Sequence, residues 1–230
     1  MGLPLAVSQL VVTAADRRLL DIPDFTARSG ECVGIKGPSG AGKSTFLYAL
    51  AGLLPNATGK VVWGEADVLA LRAGARARFR RDFVGLVFQD FLLFEELGAE
   101  ANAAIGTAFA PRRRSDTMRR RSRQHLEELG VPAGRRAART YSGGERQRIA
   151  LARALAADPG VILADEPTAS LDAAAKGQLI GDLVGAARSG GKTLIAVSHD
   201  TALLDAMDRT VTVMNGVLLP DAASAGADHA

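Results

Sequence analysis

One nine-residue stretch, Gly37-Pro38-Ser39-Gly40-Ala41-Gly42-Lys43-Ser44-Thr45, limits what this chain can fold into more than any other. It fits G-x-x-x-x-G-K-[ST] at every fixed position. Glycines let such a loop wrap a phosphate with its backbone N–H groups pointing inward. A Cβ there would obstruct either the backbone angles or the approach of the anion. The apolar run Cys32-Val33-Gly34-Ile35 before it reads as a buried strand, and residues 45–54 read as a helix beginning near Lys43. The dipole of that helix favours the same anion. Lys43 is expected to reach the β- and γ-phosphates of a nucleoside triphosphate, and the Ser44 hydroxyl to ligate Mg²⁺. Gly37, Ser39, Gly40, Ala41, Gly42 and Thr45 complete the nucleotide contacts expected of the loop.

A second element is Val161-Ile162-Leu163-Ala164-Asp165-Glu166, an apolar run ending in two carboxylates. A buried parallel strand would deliver Asp165 to the carboxyl edge of a sheet, where the phosphate loop also lies. Asp165 would hold Mg²⁺, through water, because that ion keeps much of its hydration shell. Glu166 would orient or deprotonate an attacking water. Read alone, the same run is a strand closing in a solvated acidic turn; the phosphate loop changes the reading.

A third is Tyr141-Ser142-Gly143-Gly144-Glu145-Arg146-Gln147-Arg148, opening a predicted helix over residues 145–157. A hydroxyl, small residues and free N–H groups make its start a second anion site. An ordinary capped helix would look the same, yet one chain with one phosphate loop has no use for a second clamp.

Composition narrows the rest. At 230 residues the chain can bury a sizeable core as one domain. A net charge of +3 does not call for nucleic acid. The arginines at 112–114 and 119–123 carry no interleaved aromatics and read as a solvated basic face. A single cysteine, Cys32, excludes an internal disulfide and fits a reducing cytosol. No apolar run is long enough to span a bilayer, and residues 1–10 lack the layout of a signal peptide. Membrane contact is therefore expected through a partner only.

Taken together, the motifs resemble the ATP-binding subunit of an ABC transporter over roughly residues 5–218. Residues 37–45 are similar to the Walker A loop, Gln89 to the Q-loop, and Ser142-Gly143-Gly144-Glu145 to the signature. Asp165 and Glu166 resemble Walker B and the catalytic glutamate, Asp172 in Ser170-Leu171-Asp172 the D-loop, and His199 the switch histidine. The resemblance implies an α/β fold: a P-loop NTPase core with a mixed sheet, an antiparallel β subdomain and an inserted α-helical subdomain. It implies one domain over residues 1–218, with residues 1–88 and 159–218 as core, 89–158 as helical subdomain and 219–230 as a disordered tail. It implies catalytic roles for Glu166, His199 and Gln89, metal contacts from Ser44, Gln89 and Asp165, and nucleotide contacts from Asp172 and, across a dimer, Ser142, Gly143 and Gly144. The cofactors would be ATP and Mg²⁺. The partners would be a second, identical cassette and a membrane permease at the cytoplasmic face, with no nucleic acid.

Residues 80–89 and 163–172 resemble the subgroup that serves lipoprotein release, macrolide-type export and cell-division permeases; a solute importer is the alternative. A cassette acting on DNA or ribosomes would need inserts this chain lacks, and a small-molecule kinase would lack the signature helix. Asp90-Phe91-Leu92-Leu93-Phe94 would fill the subdomain core or line a groove for a permease helix. Two departures stand out. The resemblance implies an aromatic upstream of the loop to stack on adenine, but the corresponding residues 13–18 hold none, leaving Arg17 or Arg18 as candidates, and Tyr141 takes the place where leucine is usual.

Overall fold

The computed structural model describes residues 1–15, 17–132 and 136–219. The chain opens with β1 (Leu5–Ala14), β2 (Arg17–Ala27) and β3 (Cys32–Lys36). The glycine loop then leads into α1 (Lys43–Leu50), followed by β4 (Ala57–Trp63), β5 (Ala66–Asp67), α2 (Ala73–Phe83) and β6 (Val84–Val87). Three helices, α3 (Ala99–Ala103), α4 (Arg112–Glu128) and α5 (Gly143–Leu155), precede β7 (Val161–Asp165). The chain returns through α6 (Ala173–Ser189), β8 (Thr193–Val197), α7 (Thr201–Asp205), β9 (Arg209–Met214) and β10 (Val217–Leu218).

The strands form two sheets. One is antiparallel, in the order β2-β1-β4-β5; the other runs β10-β9-β3-β8-β7-β6, parallel except for β10. The short runs at 32–35, 161–164 and 193–197 are apolar on both faces because both faces are covered. Alternation sends successive residues to opposite cores. Val33, Ile35, Leu163, Ile195 and Val197 pack with Phe46, Leu50 and Trp63 beneath the antiparallel sheet. Cys32, Ile162, Ala164, Leu194 and Ala196 pack with Ile149, Leu151, Leu183 and Leu203 from the helices. Each fully buried large aliphatic or Phe side chain here contributes about 1.5–3 kcal/mol. Trp63 is buried without leaving a polar orphan, since its indole N–H donates to the Leu50 carbonyl at 2.9 Å.

This topology fixes where the site must lie. Strands β3, β8, β7 and β6 are consecutive parallel neighbours, so their carboxyl ends sit side by side. Those ends carry, in order, the glycine loop, His199, Asp165 with Glu166, and Gln89.

Several local expectations are corrected. Arg17 and Arg18, the candidates for stacking on a base, open β2 and pair across to Ala14 and Thr13. Helix α1 stops at Leu50 rather than 54, because the chain turns through Gly52 at φ 61°. Helix α5 starts two residues before the expected position, because Ser142 caps it in a capping box with Glu145. The arginines of α4 are only partly a free basic face. Arg114 pairs with Asp82, Arg121 with Asp158 and Arg123 with Glu100, tying α4 to its neighbours. The expected tail falls on 219–230. The Leu219 N–H still bonds the Thr212 carbonyl at 2.8 Å, and residues 220–230 lie outside the described residues. Among the described residues no helix is long and apolar enough to cross a membrane.

Candidate functional site

The four strand ends open onto a cleft of about 770 Å³. Ser39, Gly40, Gly42, Lys43, Ser44 and Thr45 line it from the loop and α1, and Gln89, Glu166 and His199 face them from the ends of β6, β7 and β8. Gly37 and Ala41 do not line the cleft; they shape the loop. Gly37 lies at φ 149°, and a Cβ there would come within 2.0 Å of the Val213 carbonyl oxygen. The Ala41 carbonyl accepts the Gly216 N–H at 2.9 Å. Both contacts pin the loop against the β9–β10 turn. Gly42, at φ 99°, bends the chain into α1, and no side chain caps that helix. Its first amides thus face the cleft without an internal acceptor from a cap.

Inside the cleft the charged groups already touch. The Lys43 ammonium donates to the carbonyls of Gly37 and Pro38 at 2.9 and 3.0 Å and lies 3.1 Å from His199 Nε2. His199 Nε2 is also 3.2 Å from Glu166 Oε1, and the His199 N–H donates to Glu166 Oε2 at 3.3 Å. One ring nitrogen cannot accept from Lys43 and donate to Glu166 at once, so the imidazole tautomer decides which partner it serves. Glu166 sits at φ 44°, a left-handed conformation that costs of order 1–3 kcal/mol in a non-glycine residue. Its amide is held there by a 2.9 Å bond to the Val197 carbonyl.

Asp165 is buried and fully engaged. Ser44 Oγ donates to its Oδ1 at 2.9 Å, and the Tyr48 hydroxyl donates to its Oδ2 at 2.6 Å. Burial and the bond to Asp165 push the Tyr48 phenol far above its ordinary range. Ser44 and Asp165 offer hard oxygen donors, the kind Mg²⁺ takes alongside phosphate oxygens. Among the described residues no cluster of three or more His, Cys, Asp or Glu side chains could hold a metal by itself.

The structure separates the remaining expected residues from this cleft. Ser142, Gly143 and Gly144 do not line it. They start α5 beside the turn before α6, where a Cβ on Gly143 would lie 3.4 Å from the Ser170 carbonyl oxygen. Asp172 caps α6, its carboxylate accepting the Ala175 N–H at 2.9 Å. Ser142 accepts the Glu145 N–H at 3.2 Å, while Glu145 accepts the Ser142 N–H at 2.7 Å and pairs with Arg136 at 2.5 Å. Tyr141 is buried behind this cap with the Arg136 guanidinium over its ring, so the departure from leucine is absorbed by packing.

Sequence reasoning missed other lining residues. Leu19, not Arg17 or Arg18, reaches the cleft; Arg18 is paired with Asp21. Lys176 and Asp200 also line it, 3.4 Å apart. Burial opposes ionisation of Asp200, but Lys176 and the Ala202 N–H hold its carboxyl below the usual range. Tyr48 was missed as well; it lies four residues after Ser44 on the same face of α1.

The segment after Gln89 is neither plain core nor plain loop. Leu93 packs inward, whereas Leu92 and Phe94 are each 55% exposed. Phe91 and Leu92 both have positive φ, 59° and 48°. Arg153 of α5 holds this pair by donating to both carbonyls, 2.7 Å to Phe91, and Arg146 lies over the Phe91 ring. Leu53, Phe88, Gln89, Asp90 and Leu92 line a second groove of about 310 Å³ that also reaches Tyr48 and Asp165.

Residues 20–169 match the family model described as ABC transporter. The lipoprotein-releasing system ATP-binding protein LolD of Granulibacter bethesdensis is 38% identical over 208 residues, 88% of this chain and 88% of that protein. The Fe(3+) ions import ATP-binding protein FbpC of Streptomyces avermitilis is 38% identical over 211 residues, 91% of this chain and 59% of that protein. Among solved structures, the dimeric post-hydrolysis state of the cassette MJ0796 bound to ADP and Pi matches with a TM-score of 0.83 at 28% identity, over 94% of this chain and 97% of that one.

Proposed function

The chain belongs to the ABC transporter family, as an ATP-binding and ATP-hydrolysing subunit, and we propose that two copies close head to tail around two ATP molecules to drive a membrane permease. The observation that carries this reading is a separation. The cleft is lined by Lys43, Ser44, Glu166 and His199, with Asp165 bonded behind Ser44, while the second anion site at Ser142-Gly143-Gly144 opens elsewhere. An anion clamp with no phosphate in its own chain suits the γ-phosphate held by a partner copy.

In this mechanism Lys43 leaves the Gly37 and Pro38 carbonyls for the β- and γ-phosphates, and the loop amides and α1 dipole hold the same charge. Ser44, Asp165 and Gln89 would hold Mg²⁺, which would neutralise phosphate charge there. Glu166 accepts a proton from water as the water oxygen attacks the γ-phosphorus and the bond to the bridging oxygen of ADP breaks. His199, between Lys43 and Glu166, fixes the carboxylate on one side and senses the phosphate on the other. Asp172 reaches the partner site. Release of phosphate removes charge that both copies share, and the pair loosens. Leu19 offers the base an apolar contact that does not distinguish adenine from guanine.

The groove beside Gln89, with exposed Leu92 and Phe94, suits a short permease helix. In this reading the cassette sits peripherally at the cytoplasmic face of the membrane, held there by its permease. The similarity to LolD favours a lipoprotein-release or related mechanical permease; the similarity to FbpC supports an importer as the second reading. The test is to capture tagged Glu166→Gln from native membranes in MgATP and identify what comes with it. A few-span permease with a large outer domain is the expected result. A many-span permease with a solute-binding protein would establish the importer. Ribosomes or DNA without a permease would overturn the assignment.

A further inference from the structure

Asp165 is gripped from one helix at two points. Ser44 and Tyr48, four residues apart on α1, donate to its two oxygens at 2.9 and 2.6 Å. The motif that explains Ser44 says nothing about Tyr48. Yet the Tyr48 bond is the shorter of the two, and its acceptor is 3% exposed. Two bonds to opposite oxygens fix the carboxylate plane; one bond alone leaves it free to swing about the other. The Tyr48 ring is held in turn. It tilts at 49° against Phe88, centroids 6.2 Å apart, and Phe88 directly precedes Gln89. Tyr48 and Asp165 both line the groove of about 310 Å³, and Gln89 lines that groove and the nucleotide cleft alike.

We propose that Tyr48 is a positioning residue for Asp165: its hydroxyl sets the carboxylate plane, and its ring ties that plane to the segment carrying Gln89. A group that orients a metal-holding carboxylate without touching the ion acts on metal affinity, and loss of such a partner costs about 10–100-fold in that affinity. It has no reason to act on nucleotide bound without metal. The inference rests on the assignment of Ser44 and Asp165 to Mg²⁺, so its test separates the two.

Mn²⁺ serves as the probe, its free signal followed by electron paramagnetic resonance in the presence of a non-hydrolysable ATP analogue. The intact chain, Tyr48→Phe, Phe88→Ala, Ser44→Ala and Asp165→Asn are titrated side by side. Affinity for the analogue in EDTA is measured for each. Tyr48→Phe keeps the ring and removes only the hydroxyl, so it is expected to need about tenfold more Mn²⁺ at unchanged EDTA affinity. Phe88→Ala removes the ring support and is expected to shift the midpoint the same way by about threefold. A Tyr48→Phe curve lying on the intact one, with Ser44→Ala and Asp165→Asn both shifted, would overturn the role of Tyr48 and leave the metal site standing. Unshifted Ser44→Ala and Asp165→Asn would overturn the metal site itself. Loss of analogue binding in EDTA by Tyr48→Phe would make Tyr48 a packing residue instead.

Discussion

Two helix starts in this molecule look alike in sequence and are finished differently. One follows a glycine and the other opens on two, and both present small residues and amides. At α1 no side chain caps the helix, and the first residue, Lys43, folds its ammonium back onto the loop carbonyls. At α5 the cap is complete, with Ser142 and Glu145 bonded reciprocally and Arg136 closing the carboxylate. The first end is left to a ligand inside its own chain. The second is stable by itself and turns outward, beside the Ser170–Asp172 turn. Under the proposed head-to-tail pairing, the difference teaches how one chain can carry two anion sites: the uncapped start receives its own phosphate, and the capped start, rigid by itself, meets the partner's.

Substitutions can break this contrast. The largest effect is expected from Glu166→Gln, which keeps the shape of the cleft and removes the base. Turnover should fall by about 100- to 10,000-fold while a MgATP-dependent dimer accumulates on size exclusion. A fast-turning monomer would end the comparison. Next is Ser142→Arg at the outward helix start. Steady-state hydrolysis is expected to drop about 100-fold, with ATP affinity of the isolated chain within twofold of wild type. Loss of ATP affinity would mean that α5 serves its own cleft.

Smaller effects sharpen the picture through stability. Arg153 ties α5 to the Phe91 and Leu92 carbonyls and has no equivalent on α1. Arg153→Met is expected to lose about 2 kcal/mol, lowering Tm by about 4–8 °C in calorimetry. Smallest is Glu145→Ala, which undoes the capping box for about 1 kcal/mol. Burial opposes ionisation of Glu145, but the Ser142 amide and hydroxyl and the Arg136 guanidinium hold its carboxyl below the usual range. A depressed folded-state pKa contributes stability above the ordinary value and loses it as pH falls, here from about pH 5 downward. Denaturant titrations across that range should show a shallower acid loss in Glu145→Ala than in wild type.

Much of this was legible because backbone motifs constrain position and chemistry together. The glycine loop required a strand before it and a helix after it, and the apolar runs at 32–35 and 161–164 read as buried parallel strands. Those facts nearly determine that Lys43 and Asp165 meet. What stayed hidden depends on side chains reaching across the fold. The Tyr48–Asp165 bond joins residues 117 apart, and nothing local marks Tyr48 as different from a core aromatic. The strained Phe91-Leu92 turn is set by Arg153, 61 residues from Leu92, against the intrinsic preference of both residues.

The most direct test of the central claim mixes two crippled chains. Lys43→Ala spoils the cleft and leaves α5 intact; Ser142→Arg does the reverse. Each alone should be nearly inactive in ATP hydrolysis. In an equal mixture half the dimers pair unlike chains, and each such dimer holds one intact cleft facing one intact helix start, so about a quarter of wild-type turnover should return. A mixture no more active than the mean of its parts would contradict the account, because the outward anion site would then have no part in a neighbour's chemistry.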